Sequence, residues 1–148
     1  MRGKQSFMIR EMRPEDYGAV VELWALSGLP HHPRGRDSSE RILRELGTPM
    51  ALFLVAEAGG RLVGSLLGTT DGRKGWINRL AVLPEWQRKG VALALLKEME
   101  KGFDRRGILV FCALIQGDNK NSTSFFKKAG YEADPSVIYY SKRKGRDV

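Results

Sequence analysis

The segment from Trp76 to Phe103 constrains the fold more than any other stretch. Residues 76–83 form an apolar-rich run of strand length, and Pro84-Glu85-Trp86 turns the chain. Gln87-Arg88-Lys89-Gly90-Val91-Ala92 leads into an amphipathic helix, read as starting at Gly90. Ala92, Leu96, Met99 and Phe103 fall on one stripe, with Lys97, Glu98 and Lys101 outside it. Arg106-Gly107 breaks that helix, and residues 108–115 follow as a strongly apolar run, read as a strand buried on both faces. Strand, helix and buried strand make a βαβ unit, so its two strands should lie parallel with a right-handed crossover.

The same order of elements carries a chemical suggestion. A tight loop feeding a helix start leaves backbone N–H groups free where an anion can sit. Arg88 and Lys89 add positive charge, and Gly90 permits close backbone approach. The spacing is neither GxxxxGK[ST] nor GxGxxG. On spacing alone two readings stand: a pyrophosphate cradle, or a plain strand-to-helix connection with two solvated basic residues.

Leu80-Ala81-Val82, Pro84-Glu85 and Gln87-Arg88-Lys89-Gly90-Val91-Ala92 together resemble the acetyl-CoA motif of the GNAT acetyltransferases. A second block, Asn119, Ser122 and Phe125-Phe126-Lys127-Lys128-Ala129-Gly130-Tyr131, is similar to the family's Asn-x-x-Ala … Tyr-x-x-x-Gly-Phe stretch. The opening, Ile9-Arg10 with Arg13-Pro14-Glu15-Asp16, also fits, so the resemblance spans roughly residues 8–140 and is nearest to small bacterial YpeA-like members. It implies one GNAT domain over residues 1–148, of α/β (α+β) class. The expected sheet is mixed and mostly antiparallel, with six or seven strands, a parallel βαβ core and about four flanking helices.

The 148 residues, 42% hydrophobic, suit one globular domain with a real core. No run is long enough to cross a bilayer, and the amino-terminal residues lack a signal-peptide core, so a cytoplasmic protein with no membrane partner is expected. The single cysteine, Cys112, permits no internal disulfide and no cysteine-based metal cluster, and His31-His32 lacks metal-ligand spacing; no metal is expected. The net charge of +8 is partly terminal, because Lys142, Arg143, Lys144 and Arg146 close the chain as a basic tail over residues 142–148, read as solvated.

In chain order, residues 7–11 read as a first strand. Pro14, Glu15 and Asp16 suit the first turn of a helix carrying Tyr17, Val20, Val21 and Trp24 at helical spacing, ended near Ser27-Gly28. Asp37 followed by Glu40 has the form of a capping box for a short helix over residues 41–46. Residues 51–57 and 62–69 are strand candidates joined by a hairpin at Gly59-Gly60. Gly64 and Gly68 weaken the second of these and mark close approach by a neighbour. Residues 119–128 read as a further helix, and 131–133 and 137–141 as final strands.

For the coenzyme, the resemblance implies that the backbone of Leu80, Ala81 and Val82 pairs with the pantetheine arm. It implies that Gln87, Arg88, Lys89, Gly90, Val91 and Ala92 hold the pyrophosphate, with Asn119, Ser122 and Phe126 along the arm and near the thioester. Acetyl-CoA is then the cosubstrate. For catalysis the chain departs from the family, in which a Glu or His base and a Tyr acid are common. Period-two counting puts Trp76 and Asn78 on one face with Leu80 and Val82, where neither titrates usefully; Asn78 is the one candidate, as an orienting group or a plain sheet-facing polar residue. Phe126 stands where the family's Tyr would be. His31, His32 and Glu57 are the alternative bases, Tyr139 and Tyr140 the alternative donors, and Cys112 reads as core.

Trp24, His31 and His32 are placed at the acceptor site, and the basic loop 29–36 suggests an anionic feature on the acceptor. The leading expectation is acetyl transfer from acetyl-CoA to a primary amine of a small molecule, peptide or protein, with a homodimer left open. The alternatives are an acyl-CoA sensor without catalysis and, less favoured because no nucleic-acid motif appears, a basic nucleic-acid binder.

Overall fold

A computed structural model describes residues 6–30, 34–146 and 148. Five strands form one sheet in the order β1-β2-β3-β4-β5: β1 is Met8–Glu11, β2 Ala51–Ala58, β3 Arg61–Thr70, β4 Lys74–Val82 and β5 Val110–Ala113. Four α-helices accompany it: α1 Tyr17–Leu26, α2 Ser39–Leu46, α3 Val91–Arg105 and α4 Lys120–Lys128. β1 to β4 pair antiparallel, and β5 joins β4 in parallel after α3, so the expected βαβ unit is present.

Local chemistry explains the turns. Gly59 and Gly60, at φ 57° and 79°, close the β2–β3 hairpin without a Cβ penalty. At the β3–β4 turn the Asp71 carboxylate accepts from the backbone N–H groups of Arg73 (2.8 Å) and Lys74 (2.9 Å). At the amino-terminal side the Arg10 guanidinium bridges Asp16 (2.7 Å) and Glu57 (2.8 Å), tying β1 to the turn that starts α1 and to β2. Arg10 holds the Asp16 carboxyl below its ordinary range. Glu57, considered above as a base, is committed to this bridge two strands from β4.

The core lies on both faces of the sheet. α1 packs on one face, where Trp24 is fully buried. α3 packs on the other through Val91, Leu95, Leu96, Met99 and Phe103. The expected stripe holds at Leu96, Met99 and Phe103; Val91 and Leu95 join it, and Ala92 is only half-buried. α3 lies so close to the sheet that a Cβ on Gly64 would stand 2.8 Å from Val91 Cγ1, and one on Gly75 would stand 2.5 Å from Phe103. Gly68 likewise faces Met99 and Phe103, so the glycines in this strand do mark close approach.

Three expectations are corrected. The sheet has five strands, not six or seven, because 131–133 and 137–141 are irregular. Asp134 Oδ1 accepts from the backbone N–H of Ser136 (3.1 Å), Pro135 has no donor, and Val137 to Tyr140 lie 61–86% exposed, without burial to offset ordering. β5 is shorter than residues 108–115 and is an edge strand, with Leu109 91% exposed. α2 begins at Ser39 with Ser38 as its cap, whose hydroxyl accepts from the Arg41 N–H; Asp37 is drawn into a buried ion pair instead.

Gly75→Ala should lower stability by roughly 1–3 kcal/mol through overpacking against Phe103, read as a drop in the urea midpoint. Gly18→Ala, on the open face of α1 where an added Cβ meets nothing within 4 Å, should leave the midpoint unchanged or slightly raised.

Candidate active site

The site is built where β4 ends and α3 begins. β4 runs to Val82, but its parallel pairing with β5 stops at Ile77↔Ala113. From Asn78 to Val82 the β4 edge toward β5 therefore has no ladder partner among the described residues, because β5 ends at Ala113. On the β3 side the register passes from Ser65↔Ala81 to Leu67↔Asn78, so Arg79 and Leu80 of β4 stand against the single residue Leu66 of β3. This is a β-bulge, and Arg79 occupies it in the left-handed region at φ 56°.

The bulge changes which side chains share a face. Ile77 and Val82 pair with Gly68 and Gly64, both of which face α3. Trp76 and Asn78 therefore lie on the α1 face with Ala81, which pairs with Ser65, and not with Val82. Period-two counting fails by the inserted residue. Asn78 is exposed beside the unpaired edge; Ala81 is buried and Leu80 and Val82 are half-buried, so these three offer mainly backbone.

Beyond β4, Pro84–Trp86 forms one turn of 3-10 helix. Gln87 Nε2 donates back to the Val82 carbonyl at 3.4 Å. Arg88 and Gly90 both take left-handed backbone, at φ 62° and 84°, on either side of Lys89. Gly90 is the N-cap of α3 and offers no side-chain cap, no acidic residue sits in the first turn, and an added Cβ would meet nothing within 4 Å. The leading amides of α3 thus face an open, positively flanked space, as a phosphate requires. Lys89 Nζ lies 5.3 Å from the Trp86 ring centroid, and Arg88 is exposed. Val91 is buried and Ala92 half-buried, so both would act through N–H groups only.

The α4 residues are arranged for structure first. Asn119 caps α4, its Oδ1 accepting from the Ser122 N–H at 3.1 Å, which leaves mainly its amide donors for a ligand. Phe126 is buried, with ring centroids 5.2 Å from both Phe125 and Tyr131. Tyr131 donates to Glu100 at 2.7 Å, and burial followed by this carboxylate raises its pKa far above the ordinary phenol value. Cys112 is half-buried in β5. Tyr139 lines a cleft beside Arg34, Arg36 and Arg41, while Tyr140 is almost fully exposed.

The acceptor-side expectations are corrected at Trp24. It is fully buried, and its Nε1 donates to Ser65 Oγ at 3.1 Å, so it cannot border a ligand. His31 and His32 lie outside the described residues. What the sequence reading missed is a buried polar knot around Trp24. Ser65 Oγ donates to the Arg79 carbonyl at 3.1 Å, and the Arg79 Cζ sits 5.0 Å from the Trp24 ring centroid. The Arg79 guanidinium donates to the Pro30 carbonyl and pairs with the Asp37 carboxylate. Tyr17 Oη donates to the Asp37 carbonyl at 2.7 Å. Burial draws the Arg79 pKa down and Asp37 opposes that shift. The clue in the sequence was a charged residue inside an otherwise apolar strand.

This architecture has relatives. The model of the acetyltransferase (GNAT) family matches residues 11–131. Acetyltransferase SG1711 of Sodalis glossinidius (strain morsitans) is 36% identical over 135 residues, 91% of this chain and 94% of its own length. Among solved structures, the PaiA N-acetyltransferase of Thermoplasma acidophilum in complex with coenzyme A superposes with a TM-score of 0.78 at 27% identity, covering 87% of this chain and 91% of that one. The aminoglycoside acetyltransferase AAC(6')-Iy with a bisubstrate analogue gives 0.77 at 22% identity, covering 93% and 99%, a likeness of fold. The chain belongs to the GNAT acetyltransferase family. It is an acetyl-CoA-dependent N-acetyltransferase.

Replacing Gly90 by Val should weaken coenzyme A binding by tenfold or more, about 1.4 kcal/mol, with little change in the far-ultraviolet circular dichroism; calorimetric titration checks it. Arg79→Met should cost about 3–5 kcal/mol by taking the guanidinium away from the buried Asp37 carboxylate. Adding Asp37→Asn should restore much of that loss, measured by denaturant titration.

Proposed function

We propose that this acetyltransferase carries acetyl-CoA in the opening between β4 and β5 and delivers the acetyl group to a primary amine of a small molecule, peptide or protein. The observation that carries the placement is a coincidence of two features. The uncapped start of α3 and the unpaired edge of β4 lie next to one another, one suited to a diphosphate and the other to an extended amide chain. Backbone of Leu80 to Val82 would hold the arm. Amides from Arg88 to Ala92, with the side chains of Gln87, Arg88 and Lys89, would hold the diphosphate. The donors of Asn119 and the α4 start at Ser122 would close the far side, with Phe126 as buried support. Action in the cytoplasm and a homodimer belong to the same reading.

Acetyl-CoA supplies an activated acyl group, whose C–S bond is exchanged for an amide C–N bond; coenzyme A leaves as the thiolate, the amine's proton passes to water, and the thiolate takes up a proton from water. The chain's own contribution is positional. Asn78, exposed beside the opening, can hydrogen-bond the acyl oxygen or a water. No titratable side chain stands at Trp76, Asn78 or Phe126, so neither an internal base nor an internal acid is supplied from those places. Holding the two reactants in line can by itself lower the barrier by several kcal/mol, on the order of 7 at best. The amine must then arrive neutral.

Acetyl-CoA turnover against a broad amine panel tests this. The expected result is transfer to at least one class of amine, with kcat/KM rising as pH rises toward the amine's own pKa and then levelling. The rise follows the fraction of unprotonated amine, and no acidic group of the enzyme adds a falling limb. Coenzyme binding with no transfer to any amine would instead identify an acyl-CoA-binding module.

A further inference from the structure

A basic concavity lies beyond the loop that Arg79 anchors. A cleft of about 510 Å³ is lined by Arg34, Arg36 and Arg41 on one wall and by Tyr139, Lys142, Arg143 and Lys144 on the other. Val148 also lines it, and no Asp or Glu side chain is among its described lining residues. The Arg143 guanidinium reaches an oxygen of Val148 at 2.8 Å, so it can engage an oxygen acceptor at this surface. The cleft is joined to the transfer site by one residue. Arg36 precedes Asp37, whose carboxylate is locked to Arg79 in the β4 bulge, next to Asn78. Arg36 lies near enough to Arg79 for their charges to oppose each other.

We propose that the acceptor is an amine of net negative charge, its anionic groups held in this cleft between residues 34–41 and 142–144. The inference rests on the transfer reading above and names its substrate class. Two physical effects favour it. Six cations with no Asp or Glu among the described lining residues attract carboxylate or phosphate and repel additional ammonium groups. The same positive surroundings disfavour the ammonium form of the reacting amine, and so raise the neutral fraction that a site without a base needs. A polycationic amine such as an aminoglycoside is the wrong partner for such a wall.

The test uses matched amines with the full chain saturated in acetyl-CoA. Phosphoethanolamine is compared with ethanolamine, and the peptide Ala-Asp-Asp-Ala with Ala-Asn-Asn-Ala; sisomicin and a short RNA oligonucleotide complete the set. The anionic member of each pair should be favoured in kcat/KM by roughly tenfold at low salt, the margin shrinking as salt is added. The exposed double variant Lys142→Glu/Lys144→Glu should remove that preference, while its acetyl-CoA affinity, titrated in parallel, reports an intact coenzyme site. Preference for phosphoethanolamine alone would assign the cleft to phosphate, and for the acidic peptide alone to carboxylates. Equal rates within both pairs, preference for sisomicin, or tighter binding of RNA than of either anionic amine would overturn the proposal. Charge-dependent binding of the anionic probes without acetylation would leave the cleft assignment standing and defeat the transfer reading. Acetylation indifferent to charge would do the reverse.

Discussion

The seating of α3 on the sheet is the contact on which the rest depends. Gly64 and Gly68 in β3 and Gly75 in β4 strip one face of side chains along the path of Val91, Leu95, Met99 and Phe103. Close approach buries those residues almost completely, and each contributes on the order of 1.5–3 kcal/mol of transfer free energy. The same approach decides where the first turn of α3 lies. Were the helix lifted by a methyl group, its leading amides would no longer stand beside the end of β4. Stability and the geometry of the candidate site are thus set by one packing surface.

A second determinant works from the opposite face. Arg79 interrupts β4 with left-handed backbone and sends its side chain over Trp24 to the loop before α2. One residue thereby shapes the strand edge beside the opening and anchors Pro30 and Asp37. Trp24 and Ser65 support it from beneath through the Nε1–Oγ bond and the bond to the Arg79 carbonyl. An ion pair buried to this degree adds little net stability over an apolar equivalent, because desolvation offsets most of the attraction. Its value lies in fixing one arrangement of the loop.

Much of this was legible in the sequence. The βαβ unit, the Gly-Gly hairpin and the close approach at Gly64 and Gly68 follow from periodicity and from residues with narrow backbone or steric meaning. The Gly90 turn was legible for the same reason, since few residues tolerate that backbone. The bulge was not legible. A charge in an apolar strand marks Arg79 as unusual, but only the β3 register reveals that Arg79 and Leu80 stand opposite the single residue Leu66. Asp37 was misread because Asp37, Ser38 and Ser39 can each cap a helix, and the choice is made by Arg79, distant in sequence. The final strands expected at 131–133 and 137–141 do not form because nothing covers the apolar residues 137–140. Trp24 carried an aromatic's usual promise of a binding surface, yet its depth in the core is a tertiary fact.

The end of the β4–β5 ladder at Ile77 leaves the stretch from Asn78 to Val82 without a strand partner on that edge among the described residues. Peptide groups that lack a ladder partner exchange with solvent more readily than paired ones. A ligand lying there in extended form would serve as a removable strand, so its arrival would be felt as stiffening on both sides of the seam. In that sense the polypeptide is a sheet with a missing slat, and a molecule seated there would lend it rigidity.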